Sequence, residues 1–468
     1  LLSKEHGILL NRVDSSEMYA ISAEPDEVVY NTQLNALYRW DDGLSVWIAL
    51  AAGYGPISLT DSAGNPTFYA DLPSAFSVAS SGDVINLHTN ITVTSTCFIP
   101  DVVGASITLN GNGHTITHES NTGSEFILID RQAAYSKIYL NDIKIISNGS
   151  GVTNTQAVFS HSTIYANNNT FITATNNNCC YISHIDGGNW ESTNNHVVFS
   201  GSIKNAVVKF KYSRSPFVNC DITIASGGIL SAGGNAGGDL INCIITGEST
   251  TASSMIVAND QNKIHGCKIT CNGGSNSAIQ YNTGSYATYR HVNPVPFQDN
   301  LVYHYGTGGY AVKATYTAVF KDSYIFSKNT QCMYILNVTE VGGYNLENIT
   351  LETDAIDERA FYGVTSGDLK MKNVTATNLN PLNTEVAMQI GVRTEHELYM
   401  ENCTANVNNP TVGNINISDY AWGGNLITTG GAYIYGLIMS KIGTGLNLNT
   451  VPLLNSNTAD DYGNLKIG

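Results

Sequence analysis

The residues best suited to chemistry in this sequence are aromatic and basic side chains between positions 281 and 291. They are Tyr281, Tyr286, Tyr289, Arg290 and His291. A tyrosine offers an apolar ring face and a hydroxyl at low conformational cost, which suits the face of a sugar ring. The cluster therefore predicts a carbohydrate-binding site, with an ordinary packed loop as the alternative.

A second candidate site is cationic. Lys204, Lys209, Lys211 and Arg214 place four of the 22 lysines and arginines within eleven residues. Lys209 and Lys211 alternate with apolar residues, so we expect both to point outward from a strand. A polyanionic glycan could bind there, and a solvated strand face is the alternative.

Carboxylates are the third group that could do chemistry. Hydrolysis of a glycosidic bond needs two carboxyl groups about 5–9.5 Å apart, and Asp299 and Asp322 occupy equivalent positions of the repeat described below. The other acidic groups are Glu352, Asp354, Asp357 and Glu358 beside Arg359, followed by Glu395 and Glu397 around His396. We expect turn and solvated-loop roles for all of them and assign no catalytic residue.

Several enzyme and metal signatures are missing from the sequence. It contains no phosphate-binding loop, no HExxH zinc motif, no GxSxG nucleophile elbow and no EF-hand loop. The nine cysteines form no CxxC pair, so we expect free thiols. We predict neither a metal nor a cofactor.

Composition narrows the fold and the partners. Charged residues are 13% of the 468 residues and the formal net charge is −16, which argues against a nucleic-acid partner because phosphate binding needs clustered cations. Asparagine outnumbers even the 44 glycines, and both are poor helix formers. No stretch approaches the ~18 apolar residues of a membrane-spanning helix. The composition predicts a β-rich, turn-rich protein.

A repeat of about 26 residues organises most of the chain. Each copy reads apolar–x–anchor–small–x–apolar, where the anchor is Asn, Asp or Gly. The twelve anchors are Gly113, Asp142, Asn169, Asn195, Asn219, Asn242, Gly266, Asp299, Asp322, Asn348, Asn373 and Asn402. One short strand per copy, with one buried face, predicts an all-β fold: a parallel β-helix of about 12 coils.

Residues around the anchors predict what lies inside and outside this β-helix. The position three after each anchor is apolar and should point inward: Ile116, Ile145, Ile172, Val198, Ile222, Ile245, Ile269, Val302, Ile325, Leu351, Ala376 and Ala405. Cys220, Cys243 and Cys267 follow three successive anchors and predict a buried column. The alternating charges of Lys321, Glu347, Lys372 and Glu401 predict exposed pairs that fix register.

The residues before the coils predict a helix. Residues 69–85 read as a short amphipathic helix, a turn at Ser81-Gly82-Asp83 and a first strand. Over residues 69–410 the sequence resembles the pectin-lyase-like superfamily of right-handed β-helices. That resemblance implies right-handed winding and pectin-degrading activity. The catalytic motifs of pectate lyases and polygalacturonases are missing, however, so no catalytic residue is carried over.

Residues 1–50 differ in kind from the repeat. Their motifs are Gly7-Ile-Leu-Leu-Asn-Arg12, Val28-Val-Tyr-Asn-Thr32, Leu37-Tyr-Arg-Trp-Asp-Asp-Gly43 and Trp47. This order resembles a short module of tail-fibre and other structural proteins of bacteriophages, particularly phages of Bacteroidetes hosts, although Asn11 stands where proline is usual. The segment around Asp41-Asp-Gly43 predicts a hairpin.

These observations divide the chain into four parts. Residues 1–52 form an attachment or trimerisation module, and 53–68 form a linker. Residues 69–410 form the parallel β-helix with an N-terminal capping helix, and 411–468 form a C-terminal cap or oligomerisation segment. A solenoid needs unlike ends because an open edge would pair with other chains.

The residues and the resemblances together predict a virion structural protein, a tail spike or tail fibre that attaches to host-surface polysaccharide. The resemblance implies a homotrimer, joined to other virion proteins through residues 1–52 and assembled in the host cytoplasm, without nucleic acid or membrane insertion. The alternatives are a polysaccharide hydrolase or lyase on the same scaffold and a structural or decoration protein without a ligand. We favour binding over catalysis because the carboxylates are scattered among turns.

Overall fold

The structure is a computed structural model dominated by strands, which hold 58% of the residues, with few helices. It describes residues 11–20, 27–31, 36–41, 46–51, 55–99, 105–120, 126–131, 137–149, 156–160, 163–167, 169–174, 180–186, 190–193, 196–200, 206–211, 217–224, 229–231, 239–249, 254–258, 263–281, 296–315, 318–337, 344–365, 367–392, 398–412, 414–419, 432–435, 438–439 and 446–449. All statements below concern these residues.

The first elements form a small sheet of their own. They are β1 (Asn11–Val13), α1 (Ser15–Ala20), β2 (Val28–Asn31), β3 (Ala36–Asp41) and β4 (Val46–Ala51). The sheet order is β1-β2-β3-β4, with β3 and β4 antiparallel and Trp40 opposite Trp47. The hairpin predicted around Asp41 is therefore confirmed.

The next elements cover the start of the solenoid. They are β5 (Ile57–Thr60), β6 (Pro66–Tyr69), α2 (Leu72–Val78), β7 (Val84–Leu87) and β8 (Ile91–Val93). The Asp71 carboxylate caps α2 by accepting a hydrogen bond from the Ser74 amide at 2.7 Å, and Leu72, Ala75 and Phe76 are buried. β5 pairs antiparallel with β7, so the edge of the first coil is covered. The predicted helix is confirmed, whereas β5 and most of β6 fall in the range 53–68 that was predicted as a linker and instead belong to the sheet.

The remaining strands follow one another around the coils. In chain order, β9 to β45 are Cys97–Ile99, Ser106–Asn110, Thr115–Ser120, Phe126–Arg131, Lys137–Asn141, Lys144–Gly149, Gln156–Ser160, Thr163–Asn167, Thr170–Ala174, Cys180–Asp186, Trp190–Thr193, His196–Ser200, Ala206–Lys211, Phe217–Val218, Asp221–Thr223, Ile229–Ser231, Leu240–Ile241, Ile244–Gly247, Ile256–Ala258, Ile264–His265, Lys268–Cys271, Ile279–Tyr281, Pro296–Gln298, Leu301–His304, Tyr310–Ala314, Ala318–Ser327, Gln331–Asn337, Tyr344–Thr353, Phe361–Thr365, Leu369–Asn378, Met388–Val392, Leu398–Glu401, Thr404–Val407, Ile415–Asp419, Ala432–Tyr435, Ile438–Met439 and Leu446–Asn449.

Each of these strands pairs in parallel with the equivalent strand of the next coil. One sheet contains 14 strands, beginning with β9, β12 and β15 and ending with β45. A second sheet joins the strands that precede and follow the anchors. This is a parallel β-solenoid, which confirms the predicted all-β parallel architecture. The solenoid has about seven turns, and the total of about 12 coils stays a prediction.

The anchors are the corners between two strands. Nine non-glycine residues in the described segments have positive φ: Asn112, Asp142, Asn219, Asn242, Asp299, Asp322, Asn348, Asn373 and Asn402, with φ between 47° and 56°. Gly113 and Gly266 adopt the same sign. Only glycine, and to a lesser degree Asn and Asp, tolerate this left-handed conformation. Corner geometry therefore explains the residue type that repeats.

The predicted inward column is buried where its side chains are described. The ten residues Ile116, Ile145, Ile222, Ile245, Ile269, Val302, Ile325, Leu351, Ala376 and Ala405 are at most 1% exposed. Two copies, those with Asn169 and Asn195 as anchors, were predicted one residue out of register. Phe171 pairs with Ile145 and Val197 pairs with Ile222, so Ile172 and Val198 are not in the column, and Asn169 follows the corner instead of forming it.

At some corners the residue after the anchor has a polar side chain that reaches back to the preceding coil. The amide of Asn300 donates to the Ile264 carbonyl at 2.8 Å, and its Oδ1 accepts from the Cys267 backbone N–H at 2.8 Å. Cys267 makes the same two contacts one coil earlier at 3.4 Å, donating its thiol to the Leu240 carbonyl and accepting from the Cys243 N–H. The buried cysteines of this column are free, as predicted, and they satisfy backbone groups rather than forming disulfides.

Replacing Asn300 should lower stability. In Asn300→Ala the Cys267 N–H and the Ile264 carbonyl lose their partners, and each buried unpaired group costs about 1–3 kcal/mol. Asn300→Cys, which copies the neighbouring coils, should lose less than the alanine variant. Urea unfolding of both variants checks this order, and equal losses would contradict it.

On the outer surface of the solenoid, the alternating charges of Lys321, Glu347, Lys372 and Glu401, which we call the charge ladder, form the predicted pairs. Lys321 Nζ lies 2.9 Å from Glu347 and Lys372 Nζ lies 3.3 Å from Glu401. Because all four side chains are about one-third to one-half exposed, each pair contributes only about 0–1 kcal/mol. The ladder fixes register, and a functional site must be sought elsewhere.

Candidate functional site

Tyr281, the first residue of the predicted tyrosine cluster, lies in the core. It ends β30, is 7% exposed, and its ring packs edge-on against Phe297 and Phe320 with centroid distances of 6.3 and 6.1 Å. Burial raises the pKa of its hydroxyl well above the usual range. An enclosed ring cannot stack on a sugar, so the carbohydrate-binding prediction for Tyr281 is wrong.

The remaining predicted binding residues stay predictions. Tyr286, Tyr289, Arg290, His291 and Arg214 lie outside the described residues. Lys209 and Lys211 lie on β21, whose backbone pairs with β18 through Lys209 and His184. That strand is described by its backbone alone, so the outward orientation expected for its two lysines is untested.

The anchor carboxylates have structural partners. Asp322 accepts hydrogen bonds from the side-chain amides of Asn348 at 2.7 Å and Gln298 at 3.3 Å. Asp299 lies 3.5 Å from His265 Nδ1. Both aspartates stand at left-handed corners, which matches the turn role expected for them.

The acidic run after β36 is also tied to its surroundings. Asp357 accepts a hydrogen bond from the Thr384 hydroxyl at 2.7 Å, and Arg359 forms an ion pair with Glu385. Burial raises the pKa of Glu358, although Arg359 opposes the change. Glu395, His396 and Glu397 lie outside the described residues. These contacts give Asp357 and Arg359 structural roles after β36, whereas Glu352, for which a turn or solvated loop was expected, lies within the strand β36 itself.

A different surface gathers exposed aromatic side chains. It consists of Leu301, Tyr303 and Tyr305 at β32, and Tyr324 and Phe326 on β34, and we call it the aromatic face. On β32 the inward residues Val302 and His304 are buried, so the residues between them point outward. Leu301 is 43% and Tyr305 39% exposed, and the other three are half-buried.

Register brings the two strands of the aromatic face together. Leu301 pairs with Tyr324, and Tyr303 pairs with Phe326. The rings of Tyr303 and Tyr324 are 5.9 Å apart and inclined by 53°, and those of Tyr305 and Phe326 are 6.0 Å apart and inclined by 56°. The tilted rings do not stack face to face, and all five side chains of the face keep some exposure to solvent.

One carboxylate borders the aromatic face. The hydroxyl of Tyr324 donates to Glu352 Oε2 at 2.6 Å, a short, charge-assisted hydrogen bond. Burial and this bond together raise the pKa of Tyr324 far above its usual range. Glu352 pairs with Phe326 in the sheet register and is half-buried. The face therefore combines open rings with a fixed acceptor.

A second group of tyrosines is arranged differently. Tyr310 and Tyr334 stack 4.4 Å apart at 18°, and Tyr334 and Tyr362 stack 5.3 Å apart at 2°. The guanidinium of Arg359 lies 5.6 Å from the centroid of the Tyr362 ring. Because the rings cover one another, this stack stabilises neighbouring coils and leaves no free face between them. We therefore place the candidate site on the aromatic face.

The sequence carried a signal for the aromatic face that our prediction missed. Positions two, four and six after an anchor point outward, and the segment after Asp299 places Leu301, Tyr303 and Tyr305 there. The segment after Asp322 places Tyr324 and Phe326 at positions two and four. Applying the register to outward positions would have found the site.

Two kinds of feature are absent from the described part of the chain. Within it, no group of three or more His, Cys, Asp or Glu side chains could hold a metal ion. Within the same residues, no helix is both long enough and apolar enough to cross a membrane.

Comparison with known proteins gives only distant likenesses. No family model and no curated protein matches the sequence. A chain of the cryo-EM structure of the Vag8–C1 inhibitor complex matches at 10% identity and a TM-score of 0.34, covering 78% of this chain and 99% of that one. Tailspike protein 3 of bacteriophage CBA120 matches at 10% identity and a TM-score of 0.29, covering 91% and 76%. Likenesses this distant say nothing about what the chain binds.

Proposed function

We propose that this chain is a virion protein of the tail-spike or tail-fibre type whose solenoid binds host-surface polysaccharide through the aromatic face. The observation that carries the binding proposal is the set of open, tilted rings on β32 and β34. The observation that carries the phage proposal is the order of motifs in residues 1–50, which resembles modules of phage structural proteins.

The aromatic face has the properties that a polysaccharide-binding surface needs. Tyr305 and Phe326 offer apolar ring faces, and Tyr303 and Tyr324 add hydroxyl groups. The parallel strands beneath them hold these side chains on a rigid surface. A polysaccharide offers the same unit many times, so weak contacts gain strength when several copies of the protein engage one polymer.

The finer parts of the architecture belong to the same proposal. We infer about 12 right-handed coils over residues 69–410, a terminal segment 411–468 that caps the rod, and residues 1–52 as the attachment module. A homotrimer would present three aromatic faces, exposed on the particle. The resemblances and the repeat support these inferences.

Removing two rings tests the binding proposal. Tyr305→Ala combined with Phe326→Ala should weaken binding to a panel of immobilised bacterial surface polysaccharides by about a hundredfold, because each buried ring at a binding surface contributes about 1–2 kcal/mol. Tyr334→Ala, which changes an outward tyrosine of the stacked group, is the matched control and should bind normally.

The same experiment separates binding from catalysis. Unchanged binding by the double variant would refute the site, provided that its circular dichroism and melting match the unsubstituted protein. Release of reducing ends or unsaturated sugars from a bound polysaccharide, abolished by a single carboxylate substitution, would favour a depolymerase.

A further inference from the structure

We propose that the aromatic face selects uncharged or amine-bearing glycans over acidic ones, and that Glu352 is the residue that determines this selectivity. The inference rests on the function proposed above. It goes beyond that function because it names the chemical class of the polysaccharide.

Glu352 lies where a bound sugar must project its substituents. It is one strand beyond Phe326 in the same row of the sheet, a distance of about 4.8 Å. A pyranose ring resting on Tyr305 and Phe326 is about that wide, so its hydroxyl groups or a carboxyl group would lie beside Glu352.

The hydrogen bond from Tyr324 positions the Glu352 carboxylate to contact a bound sugar. Since the Tyr324 hydroxyl occupies Oε2, the side chain is held in one orientation and the second oxygen remains to accept further hydrogen bonds. A carboxylate accepts and cannot donate. Sugar hydroxyls and ammonium groups can therefore bind to it, whereas the carboxylate of a uronic acid is repelled.

Other charges near the aromatic face do not cancel this preference. Asp354 lies two residues after Glu352, just beyond the end of β36, and Asp322 stands at the exposed corner before Tyr324. The nearest cations by register are Lys268, which pairs with Leu301, and Lys328, which follows β34. Three carboxylates against two ammonium groups leave the border negative.

The expected size of the effect follows from electrostatics at a partly exposed site. Two like charges about 5 Å apart repel by an amount that corresponds to roughly tenfold in affinity or more, depending on the local dielectric. Salt screens such a repulsion, which gives the proposal a second, independent readout.

The test uses the full chain and matched glycans. Binding is measured to neutral polysaccharides, to amine-bearing chitosan and to acidic alginate and polygalacturonate, with mannan and polymannuronate as a pair that differs at C6. Neutral mannan should bind at least about tenfold more tightly than acidic polymannuronate. Glu352→Gln keeps the size of the side chain and an acceptor for Tyr324, and should reduce that ratio about tenfold.

A control variant on the same strand tests whether the effect depends on the position of the lost carboxylate or only on the loss of a negative charge. Glu347→Gln removes a carboxylate of β36 that pairs with Lys321 outside the aromatic face, and should leave the ratio unchanged. Raising the salt concentration should strengthen acidic-glycan binding by the unsubstituted protein, and the gain should be smaller for Glu352→Gln, which keeps the other carboxylates.

The outcomes distinguish the two proposals. A preference for acidic glycans, or a ratio that Glu352→Gln does not move, overturns the selectivity while the ring variants still test the binding site. Failure of the unsubstituted protein to bind any glycan class overturns the proposed function itself.

Discussion

Tyr281→Ala should destabilise the protein by about 3–5 kcal/mol, the range found when a large buried aromatic side chain is truncated. The ring packs edge-on against both Phe297 and Phe320, which are themselves 5.3 Å apart, so its removal leaves a cavity beside these two rings. Because the change is buried, glycan binding by the folded fraction should stay the same. Thermal and urea unfolding measure the loss, and a polysaccharide panel measures binding.

Tyr281→Phe is the matched control. Among the described residues the Tyr281 hydroxyl has no hydrogen-bond partner, so removing that one oxygen should not lower the free energy of unfolding and should raise it by up to about 1–3 kcal/mol, the cost of a buried unpaired group. A binding loss in Tyr281→Phe with full stability would restore Tyr281 to the binding site and contradict the packing argument.

The repeat made most of the fold predictable. The corners need a positive φ, and Asn, Asp and Gly are the residues that adopt it, so Asn348 and Asn373 marked their coils without ambiguity. Where several asparagines are adjacent the signal fails. Asn167, Asn168 and Asn169 all fit the pattern, and the pairing of Phe171 with Ile145 shows that the corner precedes Asn169.

The site was harder to predict than the fold. Composition alone favoured the tyrosine-rich segment after Gly266. Tyr281, however, ends the strand β30, in which Ile279 points inward and Gln280 outward, so Tyr281 points inward as well. The alternation of inward and outward positions along a strand decides which side chains are exposed, and tyrosine occurs at positions of both kinds. The tilt that keeps Tyr305 and Phe326 open, in contrast to the stacked Tyr310, depends on side-chain packing that no sequence pattern records.

His304 is the inward neighbour of the aromatic face and connects three coils. Its Nδ1 lies 3.0 Å from the Thr330 hydroxyl and 3.3 Å from that of Ser327, and its Nε2 lies 3.2 Å from the carbonyl of Asn276. The side chain is fully buried. Burial lowers the pKa of His304 to about 4, although the bond to Asn276 opposes the change.

This lowered pKa predicts an acid-sensitive core. The unfolded chain takes up a proton on this histidine near its ordinary pKa of about 6.5, whereas the folded protein resists protonation until about pH 4. The contribution of neutral His304 is therefore complete above pH 6.5 and is lost as the pH falls from 6.5 towards 4. A shift of about 2.5 units corresponds to a loss of about 3 kcal/mol.

Unfolding measured across a pH series should show this loss and trace it to one residue. His304→Gln, which cannot titrate, should be less stable than the unsubstituted protein at pH 7.5, but its stability should fall less steeply between pH 6.5 and 4. If His304→Gln kept the full acid loss, the titrating group would be another one, and the buried His118, whose pKa burial lowers to about 3, would be the next to test. His304 is an inward-facing residue of β32, so its protonation should disrupt the coils beneath Tyr303 and Tyr305. Glycan binding should therefore weaken over the same pH range.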